Sequence, residues 1–214
     1  MALGLISNDD SRTFLPIVKY DSRSGRIFRV DREDGVSTPV DISKNFSAVI
    51  DLGNIEIGWI NFPAGSAPEF VMAHYSETCP ARPSDAHKKG SRVIMKLSPA
   101  CGGGLREMAS NSKVFSIGIE NLFKEYEDAI GSNQGKLPVV VLADTIPVVA
   151  GSGAQKSTNY APKWEIVKWV PRPDDLIYQA KAAPIASTSS PSTGSKTVSA
   201  PVAAKKVDSD NDWG

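Results

Sequence analysis

The chain has 214 residues, of which 41% are hydrophobic and 22% are charged, and its formal net charge is zero. This composition is typical of a soluble globular domain and excludes a polycation that binds nucleic acid through bulk charge. No stretch approaches the roughly eighteen apolar residues of a membrane span, and two cysteines are too few for a disulfide framework.

The composition changes near residue 178 and divides the chain into a body and a tail. Residues 11–178 carry 20 Lys or Arg and 19 Asp or Glu, and their apolar runs alternate with turn signals, as in a folded domain. Residues 179–207 are rich in Ala, Ser, Thr, Pro and Lys and lack aromatic side chains, which predicts a disordered linker. The last segment, 208–214, reads DSDNDWG and predicts an acidic interaction tip. Residues 1–10 have no basic region before their apolar residues, so we expect a flexible N-terminus and a cytoplasmic protein with free thiols.

Strand signals dominate the body. Alternating or β-branched runs predict strands at residues 25–31, 46–52, 55–62, 69–75, 92–98, 139–151 and 163–170. The Gly53-Asn54 pair between the second and third of these runs predicts a tight hairpin turn. Pro147 predicts that its strand lies at an edge or contains a bulge.

One amphipathic helix is predicted at residues 114–130, where Gly131 can end it. The residues expected on its buried face recur at helical spacing and are Phe115, Ile119, Leu122 and Tyr126. A helix that follows several strands and precedes the final two is also the order of a five-stranded oligonucleotide-binding (OB) barrel. We therefore predict a mainly β, OB-like antiparallel barrel with one helix before its last two strands.

The sequence contains no constellation typical of catalysis, so we expect a protein that is not an enzyme and uses no metal or cofactor. Cys101-Gly-Gly-Gly lacks the Lys-Ser/Thr of a phosphate loop. The possible metal ligands, which match no closed zinc spacing, are His74, Cys79, His87 and Cys101. One alternative remains a nucleic-acid-processing enzyme in which Glu56, Glu69 and Asp144 gather a divalent metal.

Cations and aromatic rings occur together in several strands and loops. This mixture suits single-stranded nucleic acid, because cations follow the phosphates and rings stack on unpaired bases. The candidate DNA-binding residues are Arg26, Phe28, Phe62, Tyr75, Lys88, Lys89, Arg92, Lys96, Lys156 and Tyr160. An ordinary solvated surface is the alternative meaning of each cation. Trp59 is expected in the core, and Trp164 and Trp169 lie on opposite faces of the last strand, so that one of them is expected to be buried.

The acidic tip on a disordered tether resembles the C-terminus of bacterial and phage single-stranded DNA-binding proteins, and the body is more similar to a divergent phage or prophage version. The resemblance implies an OB-fold domain that coats single-stranded DNA with little sequence preference during replication and recombination, as a possible homo-oligomer. It also implies that Asp208, Asp210 and Asp212 meet basic residues of replication or recombination proteins, while Trp213 fills an apolar pocket. A β-rich structural or assembly protein of a virion is the second interpretation, and a solubilising end is the alternative for the tail.

Overall fold

The computed structural model describes residues 15–150, 152 and 156–177. Its strands are β1 Val18–Asp21, β2 Arg26–Glu33, β3 Val36–Asp41, β4 Ser47–Ile50, β5 Glu56–Asn61, β6 Glu69–His74, β7 Lys88–Leu97, β8 Leu105–Ser110, β9 Lys136–Ala150 and β10 Ser157–Pro171, and its helix is α1 Lys113–Ile130. The prediction of a mainly β fold with one helix before the last two strands is confirmed. The predicted flexible N-terminus, linker and acidic tip lie outside the described residues.

The larger sheet is organised around β7. Its strand order is β10-β9-β4-β7-β5-β6, and β8 pairs with β7 as well. Along one edge of β7, β4 pairs with residues 95–97 and β5 pairs with residues 88–92, whereas β8 pairs with residues 91–96 along the other edge. All of these pairings are antiparallel.

A smaller sheet has the order β1-β2-β3 and touches the larger one through a parallel bridge between Ile17 and Glu107. The turn after β1 also reaches β10, because the backbone N–H of Tyr160 donates to the carbonyl of Ser22 at 2.7 Å. Neither sheet closes on itself in the described residues. The predicted OB-like barrel is therefore not confirmed.

The connection between β4 and β5 differs from the predicted hairpin. Leu52–Asn54 forms a short 3-10 turn, and β4 and β5 pair one after the other with β7 and not with each other. The hairpin prediction for Gly53-Asn54 was wrong, because β7 is a longer partner that both strands share.

The core lies between α1 and the strands. The predicted inward face of the helix is confirmed by the burial of Phe115, Ile119, Leu122 and Tyr126. Gly118 lets α1 approach β10 closely, since a Cβ there would lie 2.5 Å from the carbonyl oxygen of Pro162. Trp164 is buried and Trp169 is half-buried, so Trp164 is the tryptophan that fills the core. No helix in the described ranges has the length and apolar character needed to cross a bilayer.

Candidate nucleic-acid interface

Two phenylalanine rings meet where β5 leads into β6. Phe62 directly follows β5, and Phe70 lies on β6 opposite Ile60. The ring centres are 6.2 Å apart and the ring planes are perpendicular, which is a favourable edge-to-face arrangement. Phe62 is 47% exposed. An exposed ring held in place by a second ring can offer its face to an unpaired base.

Two lysines begin β7, which pairs with β5 along the edge opposite to β6. Lys88 lies opposite Ile60 and Lys89 opposite Trp59. Because Ile60 also lies opposite Phe70, Lys88 and Phe70 share one face of the sheet and are two strands, roughly 10 Å, apart. Both lysines are exposed, and neither forms an ion pair within the described part of the chain. We call Phe62, Phe70, Lys88 and Lys89 the aromatic–lysine corner.

Arg92, four residues further along β7 than Lys88, is buried. The strand pattern predicted an exposed cation here, but Nε and Nη2 of Arg92 both donate to Oε2 of Glu56, which is buried as well. The guanidinium carbon also lies 5.3 Å from the centre of the Phe70 ring. Arg92 is thus a buried partner of Glu56 that supports Phe70, not a surface contact for a phosphate.

The other face of β5 carries a second ring and cation. Nε1 of Trp59 donates to the carbonyl of Pro80 at 2.8 Å, and the guanidinium carbon of Arg82 lies 5.5 Å from the Trp59 ring centre. Arg82 is held in place because its Nε donates to the carbonyl of His87 at 2.9 Å. Trp59 is half-buried beneath the segment that joins β6 to β7, which contains Pro80 and Arg82. It lies outside the main core cluster of the described residues, contrary to the core position expected for it. Trp59 and Lys89 are register partners, so Lys89 lies on the same face as this ring. Nη1 of Arg82 lies 3.4 Å from Oδ1 of Asp85, so Arg82, unlike Lys89, already has a carboxylate partner.

A row of aromatic rings runs from β6 across α1 to β10. Tyr75, a predicted DNA contact, is 37% exposed, and its ring centre lies 4.6 Å from that of His74 and 4.9 Å from that of Phe123. The row continues from Phe123 through Tyr126 to Trp169 at centre distances of 5.8 and 5.7 Å. The sequence pattern did not single out Phe123 or Trp169 for the site, because both fit ordinary helix or strand packing. Tyr75 is thus packed between His74 and Phe123 while part of its ring stays open to solvent.

Three of the other predicted contacts lie outside the corner. Arg26 and Phe28 belong to β2 in the smaller sheet, where Nη1 of Arg26 is 3.2 Å from Oδ2 of Asp41. Lys96 lies near the far end of β7, where Nζ is 2.8 Å from Oδ1 of Asp175. Arg26 and Lys96 therefore already have carboxylate partners.

The last two predicted contacts belong to the β9–β10 hairpin. Lys156 is exposed immediately before β10. Tyr160 is half-buried, and its carbonyl oxygen accepts a hydrogen bond from the hydroxyl of Tyr20 at 2.8 Å. The hairpin lies at the opposite end of the strand order from β6, so these residues form a region separate from the corner.

The carboxylates considered for a metal-dependent enzyme lie on three different strands. Glu56 is on β5, Glu69 on β6 and Asp144 on β9. Glu56 is paired with Arg92, and Oε2 of Glu69 lies 3.4 Å from Nε2 of His87. Within residues 15–150, 152 and 156–177, no group of three or more His, Cys, Asp or Glu side chains could hold a metal ion.

Comparisons of the chain with protein-family models, curated protein sequences and solved structures find no match. Function is therefore inferred from the chemistry of the candidate interface.

Proposed function

We propose that the chain binds single-stranded DNA through the aromatic–lysine corner, with little preference for base sequence. The observation that carries the proposal is an exposed ring, Phe62, packed against Phe70 on the sheet face that also carries Lys88. Lys88 and its neighbour Lys89, which points to the opposite face, are exposed and have no acidic partner in the described residues. Lysine ammonium groups neutralise phosphates, and a phenylalanine ring stacks on any base, because every base has a π face. This chemistry favours a flexible single strand over a duplex, whose bases are already stacked.

The order of the strands supports the same proposal. Because β4 and β5 pair with one edge of β7, they can be counted as a single interrupted strand. The chain order is then β4/β5, β7, β8, α1, β9 and β10, with β6 inserted between the first two. OB folds bind oligonucleotides on strands two and three and on the connections between strands one and two and between four and five. Here the first of these connections carries Phe62, Phe70 and Arg82, and the second carries Lys156.

The charge distribution of the chain is compatible with DNA binding through a few local contacts. Residues 11–178 are almost neutral overall, so the electrostatic part of the affinity must come from a few lysines such as Lys88 and Lys89. Each phosphate that these residues neutralise contributes a slope of about −0.7 to the dependence of log K on log salt concentration for a single strand.

The tail adds a second part to the proposal, the capture of replication or recombination proteins. The sequence DSDNDWG offers three carboxylates to basic residues and Trp213 to an apolar pocket. A linker of the kind predicted for residues 179–207 would hold such a partner at high effective concentration near the bound strand. Replacing Asp208, Asp210 and Asp212 with Asn should abolish capture of the partner and leave DNA binding equal or tighter.

The experiment that tests DNA binding is a tryptophan-fluorescence titration of the full chain. The ligands are an oligo(dT) strand and a duplex of equal length, each measured over a series of salt concentrations. We expect tighter binding to the single strand, with an affinity that falls as salt rises. Preference for the duplex, or an affinity that does not depend on salt, would overturn the proposal. An absence of any binding would favour the structural or assembly protein.

A further inference from the structure

The segment that follows β10 folds back onto the larger sheet, and we call residues 172–177 the strap. Its first attachment is the two-pronged contact of Arg172 with Asp51, in which Nη1 lies 2.7 Å from Oδ2 and Nη2 lies 2.9 Å from Oδ1. Asp51 is buried, and Leu176 is 1% exposed. Nη1 of Arg172 also donates to the carbonyl of Leu176 at 3.0 Å. This end of the strap is firmly anchored.

The second attachment of the strap is a single exposed ion pair. Nζ of Lys96 lies 2.8 Å from Oδ1 of Asp175, and both side chains are partly exposed, at 37% and 48%. The hydrogen bond from Lys96 lowers the pKa of the Asp175 carboxyl, so this carboxylate is ionised at neutral pH. An exposed pair of this kind contributes little to stability and exchanges easily with other charges.

Lys96 lies on the same face of β7 as Lys88. The two lysines are eight residues apart, so they share a face by strand alternation and are separated by roughly 26 Å along the strand. A nucleic acid strand that follows β7 from Lys88 would therefore reach Lys96. There it would find the ammonium group already occupied by a carboxylate of the chain itself.

We propose that Lys96 is a phosphate subsite which Asp175 fills in the unbound protein, and that a bound strand displaces Asp175 while Arg172 keeps the strap attached. The inference rests on the proposed DNA-binding function and adds a regulatory contact to it. A phosphate oxygen can replace the carboxylate because both are anionic acceptors for a lysine ammonium. The anchor at Asp51 limits the change to Asp175 and its neighbours.

The neighbouring Asp174 provides a matched control. It is exposed, carries the same charge, and forms no ion pair with any described residue. Asp175→Asn and Asp174→Asn remove one negative charge each, one residue apart, but only Asp175→Asn releases Lys96. A difference between the two variants thus reports the contact and not the general change in charge.

The test is an oligo(dT) titration of both variants in the full chain, together with acylation of lysines read by mass spectrometry. Asp175→Asn should bind up to about fivefold more tightly than Asp174→Asn, the size that an exposed ion pair allows. For Asp175→Asn, the slope of log K against log salt concentration should be steeper by up to about 0.7 than for Asp174→Asn. The reason is that DNA binding to this variant no longer has to break the Lys96–Asp175 ion pair. Without DNA, Lys96 should be acylated faster in Asp175→Asn than in Asp174→Asn, and oligo(dT) should protect it in both.

Two results would overturn the inference while leaving the proposed function intact. One is equal affinity of the two variants for oligo(dT), and the other is failure of bound oligo(dT) to protect Lys96. If the wild-type chain and both variants are folded and none of them binds oligo(dT) at low salt, the proposed function itself fails, and the phosphate subsite fails with it.

Discussion

The guanidinium carbon of Arg92 on β7 lies 5.3 Å from the ring centre of Phe70 on β6, although β5 separates the two strands. Gly58 on β5 lets the backbone of β6 lie close to it, because a Cβ at that position would lie 2.2 Å from the carbonyl oxygen of Val71. On one face of the β5–β6 pair, the buried Glu56–Arg92 ion pair therefore contacts Phe70, the ring against which Phe62 packs.

The first prediction concerns the stability that this pair provides. Arg92→Met leaves Glu56 buried without its partner, and we expect the free energy of unfolding to fall by about 3–5 kcal/mol. Arg26→Met is the control, since it breaks an exposed pair with Asp41 and should cost at most about 1 kcal/mol. Urea denaturation of both variants measures the difference. Similar losses in the two variants would contradict the buried, supporting role of Arg92.

The second prediction tests stacking at the corner. Phe62→Ala removes the exposed ring, and we expect the binding free energy for oligo(dT) to weaken by about 1–3 kcal/mol. Val36→Ala is a suitable control because Val36 is 65% exposed and begins β3 in the smaller sheet. Its affinity for oligo(dT) should equal that of the wild-type chain. If Phe62→Ala also binds like the wild type, Phe62 does not stack on a base.

The third prediction concerns the charges of the corner. Replacing Lys88 and Lys89 with Gln should reduce the magnitude of the salt slope for oligo(dT) by about 0.7 for each phosphate contact that is lost. The control double variant replaces Lys113 and Lys136, two exposed lysines at the starts of α1 and β9. It changes the net charge equally and should keep the wild-type slope. Equal slopes in the two double variants would show that only net charge matters.

The helix and the main strands could be predicted from the sequence, because their signals are local. Phe115, Ile119 and Leu122 repeat at helical spacing, and the β-branched runs alternate or cluster as strands do. β3 was not predicted, because it contains Pro39 and nearly all of its side chains are exposed, which leaves no apolar alternation. β8 reads LREMAS and contains no β-branched residue, so its strand state comes from pairing with β7.

The site could be predicted only in part, for a similar reason. Lys88, Arg92 and Lys96 lie on the same face of β7, and strand alternation alone gives them the same environment. The structure separates them by their partners: Lys88 has no acidic partner in the described residues, Arg92 is buried against Glu56, and Lys96 meets Asp175. Such partners are distant in sequence and depend on how the strands are ordered.

The fourth prediction concerns the loop of three glycines after Pro99–Cys101. Gly102 has a φ of 91°, and a Cβ there would lie 1.4 Å from Nη1 of Arg29, whereas Gly103 has a φ of 64° and open space around it. Gly103→Ala should therefore lower the free energy of unfolding only by the penalty for placing alanine in a left-handed backbone conformation, about 1–2 kcal/mol. Gly102→Ala should cost more, because Arg29 must also give up its 2.9 Å hydrogen bond to the carbonyl of Cys101.

Urea denaturation of the two glycine variants, in the wild-type chain and in an Arg29→Ala background, checks this difference. The difference in the free energy of unfolding between Gly102→Ala and Gly103→Ala should be smaller in the Arg29→Ala background than in the wild-type chain. A gap that keeps its size without Arg29 would assign the cost to the backbone at Gly102 and not to the contact.

The fifth prediction concerns acid pH and the carboxyl of Asp41. The hydroxyl and backbone N–H of Ser43 donate to Oδ1 of Asp41 at 2.5 and 2.9 Å, and with the nearby Arg26 they lower its pKa. A carboxyl whose pKa is lower in the folded state stabilises the fold above its unfolded pKa of about 3.9, and this contribution is lost as pH falls through the folded-state pKa. Asp41→Asn should therefore be less stable than the wild type at neutral pH. The difference in their free energies of unfolding should become smaller below about pH 4.

The measurement for Asp41 is the free energy of unfolding in urea over a pH series that extends below the unfolded pKa. Asp34→Asn is the control: Asp34 is exposed at a φ of 49° in the turn between β2 and β3, a conformation that Asn tolerates as well as Asp. Its side chain has no hydrogen bond or ion pair within the residues the structure describes, so its pH profile should parallel that of the wild type. A gap for Asp41→Asn that stays constant with pH would mean that hydrogen bonding to Ser43 does not depend on the charge of the carboxylate.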